Sequence, residues 1–425
     1  MNESALLHGN SLTEQSYSFY WNCIVNVWFI GFLAGIWISR WITDHFGRKP
    51  AFLIGNGFNV LGSLSVYFSI VVYEPIVLFI GRFISSTATS ISYCSLILYL
   101  QEVAPNGKKG STSCLNGCIY SLIAILGITL GNDELLGKHL AYYLGFGIFP
   151  CIFSFVALFF LPETPKYLVS KNKLDEAEDA ILFYHGKSTR ATSTLKTIQD
   201  DIDSADNQLK PKIVDVFKQR HLRNALWLAL AAIQNTVALW TILLSSTYYL
   251  EETGVEHHIA QWSSTIMAIA YFAGTSTGVF TIEKFGRRPL LIWSNILNMS
   301  SLLLYTAFAK AEPYLPGSKY GCLPMLALFG WSYGWAVGPV ARFIAAELVP
   351  TKYRSLMTAI VFSENTIVNV ITAFSCRPLF HVLGPYAFCI LYVVPSIFCL
   401  FYLFHYLPET KGKEISEIVN ILRNQ

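Results

Sequence analysis

Long apolar stretches dominate the chain and restrict it to one class of fold. A helix that crosses a bilayer needs about 20 mostly apolar residues, and eleven stretches of the sequence satisfy that condition. They lie at about residues 18–42, 51–73, 77–101, 111–131, 140–161, 222–250, 259–282, 289–309, 320–349, 355–379 and 385–407. Because backbone groups in hydrocarbon must be hydrogen-bonded within the protein, stretches of this length predict spanning helices. The sequence therefore predicts an all-α membrane protein.

Composition and motifs exclude several other classes of protein. Charged residues make up only 13% of the chain, against roughly 25% in a soluble domain. The net charge is +3 and no block of like charges occurs, so we expect no nucleic-acid partner. The cysteines form no CxxC pair and have no histidine at metal spacing, so we predict no metal and no cofactor. No nucleophile–base set or phosphate loop is present, which argues against an enzyme.

One long polar stretch, residues 162–221, divides the apolar stretches into two groups. It contains amphipathic pieces such as residues 174–184, which predict helices. The predicted organisation is an extracellular segment 1–17, an N-terminal bundle of five spans 18–161, a cytoplasmic helical linker 162–221, a C-terminal bundle of six spans 222–407 and a cytoplasmic tail 408–425.

Lysine and arginine in the short loops predict the orientation. Twelve of them lie in the loops and tail on one side, and three on the other. Basic loops stay cytoplasmic, so we expect the C-terminus inside and, with eleven spans, the N-terminus outside.

Three charged motifs occur twice in the same order. They are displaced by 239, 245 and 246 residues. The pairs are 44–50 with 283–289, 102–109 with 347–354, and 162–166 with 408–412. Near-constant displacement predicts two parallel six-helix repeats, an arrangement found in transporters. Only one span precedes the first loop and two precede the second, so the first helix of the first repeat is expected to be absent.

The repeated charges suggest a gate. Acids at helix ends can pair with the basic residues of the Gly-Arg loops in one state and separate from them in another. The candidate gating charges are Asp44, Arg48, Arg82, Glu102, Lys109, Glu283, Arg287, Arg288, Glu347 and Arg354. The alternative is that the basic members only set orientation, and that Arg82 extends to the outer interface.

Polar residues inside the spans are candidates for a solute site. Arg342 and Glu364 would be costly facing lipid, so they either pair with each other or line a cavity in which Arg342 binds an anion. Gln234, Asn235 and Asn365 are amides within spans, for which hydrogen bonding between helices is the alternative role. Gly334, Gly338 and Pro339 predict an irregular helix nearby.

Taken together, these motifs resemble the sugar transporter family of the major facilitator superfamily, which includes the facilitative glucose transporters. They include 44–49, 81–83, Glu102 to Lys109, 162–166, 283–288, 338–339, 346–354, 384–386 and 408–412. The resemblance covers residues 18 to about 420. It implies twelve helices, alternating access and a central cavity for a hexose-like solute, in a multi-pass protein of the plasma membrane.

The resemblance also implies a set of solute-binding positions. The family's paired glutamines fall on Gln234 and Asn235, and its eleventh-helix asparagine is kept as Asn365. Other polar positions of the family fall on Trp240, Tyr271 and Gly117, the tenth-helix glutamate on Gly334, and the tryptophan over the sugar on Arg342. We therefore expect a sugar-like or anionic small solute rather than plain glucose, in contact with a protein embedded in the lipid bilayer.

A second function stays open at this point. The altered cavity and the missing first helix also fit a non-transporting or truncated relative that acts as a sensor or scaffold.

Overall fold

The computed structural model describes residues 14–104, 109–186, 191–206, 213–413 and 415–424. Within these residues the chain is helical and has no β-strand, which confirms the predicted all-α class. The chain forms two compact units, Met1–Lys109 with Lys138–Lys210, and Gly110–Gly137 with Pro211–Gln425. The first unit contains most of the first repeat and the linker up to Lys210. The second unit contains the second repeat, the tail and, in addition, one helix of the first repeat.

The first repeat provides five long helices. They are α1 (Glu14–Phe46), α2 (Arg48–Val72), α3 (Pro75–Val103), α4 (Lys109–Leu130) and α5 (Leu140–Ala157). Helix α4 is the one that groups with the second unit, because Tyr120, Ile125 and Ile128 pack against the apolar core of that unit. The domain boundaries predicted from the sequence place α4 in the N-terminal bundle. Those boundaries stay predictions.

Four short helices build the linker. They are α6 (Pro165–Ser170), α7 (Leu174–His185), α8 (Ala191–Asp206) and α9 (Ile213–Lys218). Helix α7 covers the amphipathic piece predicted at 174–184, and its Ala177 and Ala180 are buried against Leu168 and Val169 of α6. Helices α6, α7 and α8 therefore share a small apolar cluster, whereas Val216 of α9 is buried in the core of the second unit.

The second repeat and the tail contain ten helices within the described residues. They are α10 (Arg220–Gln234), α11 (Val237–Glu252), α12 (His257–Phe285), α13 (Arg287–Ala311), α14 (Cys322–Ser332), α15 (Gly338–Glu347), α16 (Thr351–Leu383), α17 (Tyr386–Phe388), α18 (Val394–Tyr406) and α19 (Ile415–Asn424). Two π-helical segments, Tyr333–Val337 and Cys389–Val393, join α14 to α15 and α17 to α18.

Eight helical stretches in the described residues are long and apolar enough to cross a membrane. The other three predicted spans lie in α1, in the shorter apolar helix Leu115–Leu130 of α4, and in the α14–α15 pair. The predicted span 320–349 is divided because Pro339 has no N–H to donate, and the turn before it widens to a π-helix. The total of eleven spans and the absence of a first helix stay predictions.

Glycines let two pairs of helices approach closely, once in each repeat. A Cβ on Gly35 of α1 would lie 2.5 Å from the carbonyl oxygen of Thr87 in α3. A Cβ on Gly278 of α12 would lie 2.5 Å from the carbonyl oxygen of Trp335 in the π segment. Each glycine has a second glycine four residues before it, at Gly31 and Gly274. Small residues spaced in this way allow backbones to pack tightly in membranes, so the repeat extends from the loops into the helix packing.

We predict that Gly35→Ala and Gly278→Ala each lower the apparent melting temperature of the purified protein. The added methyl must displace a backbone carbonyl, and overpacking of this kind costs about 1–3 kcal/mol. Gly147→Ala and Gly117→Ala are matched controls, because a Cβ at either position meets nothing within 4 Å. Equal effects in all four variants would contradict a packing role for Gly35 and Gly278.

Candidate functional site

Arg48 and Glu102 form the ion pair expected between the first Gly-Arg loop and the end of α3. The Nε and Nη2 atoms of Arg48 donate to Oε1 of Glu102 at 3.1 and 2.8 Å. The two side chains are only 19% and 11% exposed, so salt screens this pair less than a surface pair. The guanidinium also lies 5.2 Å from the ring centre of Tyr167, a cation–π contact.

Glu163 fastens the linker to the start of α2. The backbone N–H of Lys49 donates to both carboxylate oxygens of Glu163, at 3.0 and 3.2 Å. Gly47 makes this possible, because its φ is 104° and a Cβ there would lie 2.5 Å from Oε2 of Glu163. The hydroxyl of Thr164 donates to Glu102 at 2.6 Å. The carboxylate that caps α2 is therefore connected to the Arg48–Glu102 pair.

Burial raises the pKa of the Glu163 carboxyl, while the N–H donors of Thr164 and Lys49 and the charge of Arg48 lower it. These donors thus stabilise the ionised form of the carboxylate. Loss of the contact with α2 would leave that charge poorly solvated.

The second repeat has the corresponding pair at the end of α15. Nη2 of Arg287 lies 3.5 Å from Oε1 of Glu347, and the side chains are 16% and 30% exposed. The hydroxyl of Thr410 donates to Oε2 of Glu347 at 2.6 Å, as Thr164 does to Glu102. In both repeats, therefore, the arginine of the Gly-Arg loop lies against the acid at a helix end.

Glu409 fastens the tail to the start of α13 in the same way. The backbone N–H groups of Arg287 and Arg288 donate to its carboxylate at 2.9 and 3.1 Å. Gly286 has a φ of 89°, and a Cβ there would lie 2.7 Å from Oε2 of Glu409. We call the Arg48, Glu102, Glu163 and Thr164 group the first inner cluster. Its counterpart Arg287, Glu347, Glu409 and Thr410 is the second inner cluster.

Four other candidate gating charges lie outside these contacts or cannot be placed. Asp44 is exposed and forms no ion pair within the described residues. The Nη2 atom of Arg288 donates to the carbonyl oxygen of Phe404 at 2.7 Å instead of pairing with an acid. The side chains of Lys109 and Glu283 lie outside the described residues.

Arg354 and Arg82 have different surroundings from those expected of gating charges. The described ion pairs join Glu347 to Arg287 and not to Arg354, and Nε of Arg354 is buried without a hydrogen-bond partner in the described part of the chain. Arg82 donates from Nε to the carbonyl oxygen of Ile24 in α1 at 2.9 Å. Arg82 therefore binds helix backbone, which satisfies a charge at membrane depth.

Four residues of this site are not among those predicted from the sequence: Glu163, Thr164, Glu409 and Thr410. Their signal was present, because the Pro-Glu-Thr sequence is one of the three repeated motifs. The side chains could be assigned a role only once the structure showed which N–H groups the carboxylates meet.

The predicted sixth span, 222–250, is interrupted at Asn235 and Thr236, between α10 and α11. The amide of Asn365 in α16 donates to the carbonyl oxygen of Ile233 at 3.3 Å and to Oγ1 of Thr236 at 3.1 Å. Interrupted helices in transporters expose backbone groups that need such partners. Asn365 therefore stabilises the break, which is one of the two roles considered for it.

Gln234 and Asn235 line a small crevice in the second unit, together with Asn298 of α13 and Ser396 of α18. Asn235 is 4% exposed, and its Oδ1 has no hydrogen-bond partner among the described residues. The structure thus places two of the predicted solute-binding amides beside α13 and α18.

The predicted aromatic members of the solute site lie in α11 and α12, the two helices that follow this break. Trp240 lies in α11, with its ring 5.4 Å from that of Tyr120 in α4. Tyr271 is 2% exposed, and its ring lies 5.8 Å from that of Tyr333 in the π segment.

Arg342 and Glu364 are not joined in any ion pair that the described residues form. Arg342 is half-buried in α15. Oε2 of Glu364 in α16 is buried without a hydrogen-bond partner in the described part of the chain. Within the described residues no three His, Cys, Asp or Glu side chains are grouped as a metal site requires.

These features together define a class of protein. Membrane-length helices, two repeats with the same inner cluster, and an interrupted helix facing polar side chains are typical of major facilitator carriers. Solved structures share the fold. A structure of the proton:xylose symporter XylE bound to 6-bromo-6-deoxy-D-glucose matches with a TM-score of 0.79 and 17% identity, over 97% of this chain and 91% of that chain. The inward open conformation of XylE from E. coli matches with a TM-score of 0.75 and 18% identity, over 99% and 93% of the two chains.

Sequence comparison gives the family. The family described as "Sugar (and other) transporter" matches residues 3–422. Solute carrier family 2, facilitated glucose transporter member 2 of Sus scrofa is 27% identical, over 94% of this chain and 76% of the relative. Sugar transporter ERD6-like 6 of Arabidopsis thaliana is 25% identical, over 99% and 85%. The chain belongs to the sugar transporter family.

We predict that Glu409→Gln lowers the apparent melting temperature. The new amide would turn an N–H donor toward the backbone N–H groups at the start of α13, and an unsatisfied buried contact of this kind costs about 1–3 kcal/mol. Glu417→Gln is the matched control, since the Glu417 side chain is 55% exposed and its Oε1 lies 3.4 Å from Nζ of Lys413. A surface ion pair of this kind contributes about 0.5 kcal/mol to stability. Equal melting temperatures in the two variants would show that Glu409 does not fasten the tail.

Proposed function

We propose that the chain carries a small polar solute across a membrane by alternating access. The observation that carries the proposal is the second inner cluster, which repeats the first in residue types, contacts and order. Two equivalent sets of breakable ion pairs, one in each repeat, suit a protein whose repeats move as bodies about a central solute. No catalytic role is proposed for any of these residues.

The strength of the inner clusters fits a gate better than a permanent fastening. The Arg48–Glu102 contact is 2.8 Å and the Arg287–Glu347 contact is 3.5 Å, and in each the side chains remain partly exposed. Such pairs are worth of order 1 kcal/mol each, so the differential binding of a solute can shift the balance between closed and open states. Asp44, Lys109, Glu283 and Arg354 remain proposed members of this gate.

The relatives suggest a sugar-like solute, and the residues of this chain suggest a modified one. One matched relative is named as a glucose transporter and another as a sugar transporter, and one matched structure has 6-bromo-6-deoxy-D-glucose bound. At the matching positions this chain has Arg342 and Gly334, which add a positive charge and remove a negative one. A change of two charge units in a pocket of low dielectric outweighs the loss of one neutral hydrogen bond, about 1 kcal/mol. The proposed solute is therefore anionic or strongly polar.

The proposed setting is the plasma membrane, with both inner clusters and the C-terminus on the cytoplasmic side. The excess of lysine and arginine in the loops that contain these clusters supports this orientation.

Counterflow into proteoliposomes tests the function. We expect the unmutated protein to exchange a sugar acid such as glucuronate faster than glucose, and Arg342→Gln to lower sugar-acid uptake by at least about tenfold. That factor corresponds to the loss of a charge-assisted contact worth roughly 1.5–3 kcal/mol. Arg377→Gln is the control, because Arg377 contacts Ser245 and the ring of Tyr248, away from the proposed solute contacts.

Two outcomes would contradict the proposal. Strong glucose uptake that neither organic anions nor Arg342→Gln reduce would exclude the anionic solute. An absence of exchange for every sugar and sugar acid by folded, reconstituted protein would count against a carrier.

A further inference from the structure

Helix α4 belongs to the first repeat by sequence but packs along helices of the second. The hydroxyls of Ser121 in α4 and Thr275 in α12 lie 3.0 Å apart. Further along, the amide of Asn132 donates to Oγ1 of Thr265 at 3.4 Å. Later residues of this segment thus contact earlier residues of α12, so the two segments run antiparallel. They meet again beyond Asn132.

A group of histidines and acids occupies that meeting point. Nε2 of His257 lies 3.2 Å from Oδ2 of Asp133, and its Nδ1 contacts Oε1 of Glu251. Nε2 of His258 lies 2.8 Å from Oε1 of Glu134. The two histidines begin α12, the acids Asp133 and Glu134 follow α4, and Glu251 ends α11. We call these five residues the outer latch.

The contacts of His257 favour its protonated form. A neutral imidazole has one N–H and one lone pair, so it can donate from only one of its two nitrogens. Here both nitrogens face carboxylate oxygens, and a lone pair directed at either would be repelled. The imidazolium donates from both nitrogens. The arrangement is therefore that of a bound proton shared with two carboxylates.

The surroundings of the latch add further acids. Glu252 and Glu256 are exposed neighbours on the same turn of chain. Lys319 brings an ammonium to this turn, where it donates to the carbonyl oxygen of Gly254 at 2.8 Å, and Glu312 accepts a hydrogen bond from the backbone N–H of Lys319 at 2.8 Å. The N-terminus of α12 opposes a positive charge on the histidines, whereas the carboxylates in direct contact with them favour it.

The latch lies at the end of the second unit opposite to the second inner cluster. Helix α12 has 29 residues between them, which corresponds to about 43 Å at 1.5 Å per residue. The histidines are 58% and 64% exposed, so protons from the surrounding water reach them directly.

We propose that His257 and His258 form a proton-binding site that fastens the end of α4 to the start of α12. The contacts are complete when the imidazoles are charged and weaken as they lose their protons. Acid supplies the protons that complete these contacts, so the latch is closed in mildly acidic medium and loosens toward alkaline pH. Resting on the proposed carrier function, the consequence is that acid at this end slows solute exchange.

Distances between spin labels at Leu135 and Glu256, both exposed, test the site without any solute. The protein is placed in lipid nanodiscs after its nine cysteines are replaced, and distances are compared at pH 5.5 and pH 8. We expect the short-distance population to increase about threefold to tenfold at pH 5.5, the effect of several exposed ion pairs. The double variant His257→Gln, His258→Gln should lose this response, and so should Asp133→Asn, Glu134→Gln.

His381→Gln is the matched control, because His381 is exposed and forms no ion pair within the described residues. It should keep the full response. A distance distribution that does not change with pH in the parent protein, or that changes equally in the double histidine variant, would overturn the proposal. If the distances respond as expected while no solute is exchanged, the latch stands and the carrier function fails.

Discussion

The carboxylates of Glu163 and Glu409 are the contacts on which the rest of the charged architecture depends. Each one accepts N–H groups at the start of a long helix and is followed by a threonine that holds the helix-end acid. Each acid in turn receives the arginine of the Gly-Arg loop. Only a glycine at positions 47 and 286 lets the carboxylate come this close. Removing the carboxylate therefore loosens the segment that orients the whole cluster.

The two repeats share these contacts and differ in the region of the proposed solute site. Each contains a close glycine contact, between α1 and α3 or between α12 and the π segment. In the described residues, the interrupted helix at Asn235 and the two π segments occur only in the second repeat. Irregular backbone is tolerated at membrane depth where neighbouring side chains satisfy it, and Asn365 does so here. The two repeats thus have nearly the same charged and glycine contacts, whereas the helix break at Asn235 lies in the second repeat.

Much of the fold could be predicted from the sequence, because length and apolarity alone decide whether a helix spans a bilayer. The repeated motifs also predicted the pairs Arg48–Glu102 and Arg287–Glu347, since opposite charges at the ends of neighbouring helices have few other partners. The pattern could not show that Arg288 binds a backbone carbonyl or that Arg82 binds Ile24. Those contacts depend on which face each helix turns to its neighbour. Nor could it predict that α4 packs with the second unit, because its apolar side chains would fit either partner.

The outer latch had no signal of its own in the sequence, because its two halves are more than a hundred residues apart and neither is a known motif. Solute selectivity is similarly difficult to predict, since it depends on the environment of Arg342. Charge count alone does not give that environment. The ion pairs of the inner clusters could be predicted because the motifs that form them occur twice in the sequence.

The labelling rate of single cysteines at Ala273 and Thr277, both exposed positions of α12, tests most directly whether the inner clusters close the end of the protein proposed to be cytoplasmic. A membrane-impermeant maleimide is applied from that side to the parent protein, to Arg48→Ala, Arg287→Ala and to the double variant. Lys413→Ala, which removes only a surface pair, is the control. If the clusters form the gate, the double variant should be labelled about tenfold faster than the parent, the effect of losing roughly 1.4 kcal/mol of closing free energy. Equal rates in the parent, both single variants and the double variant would contradict a gating role for the clusters.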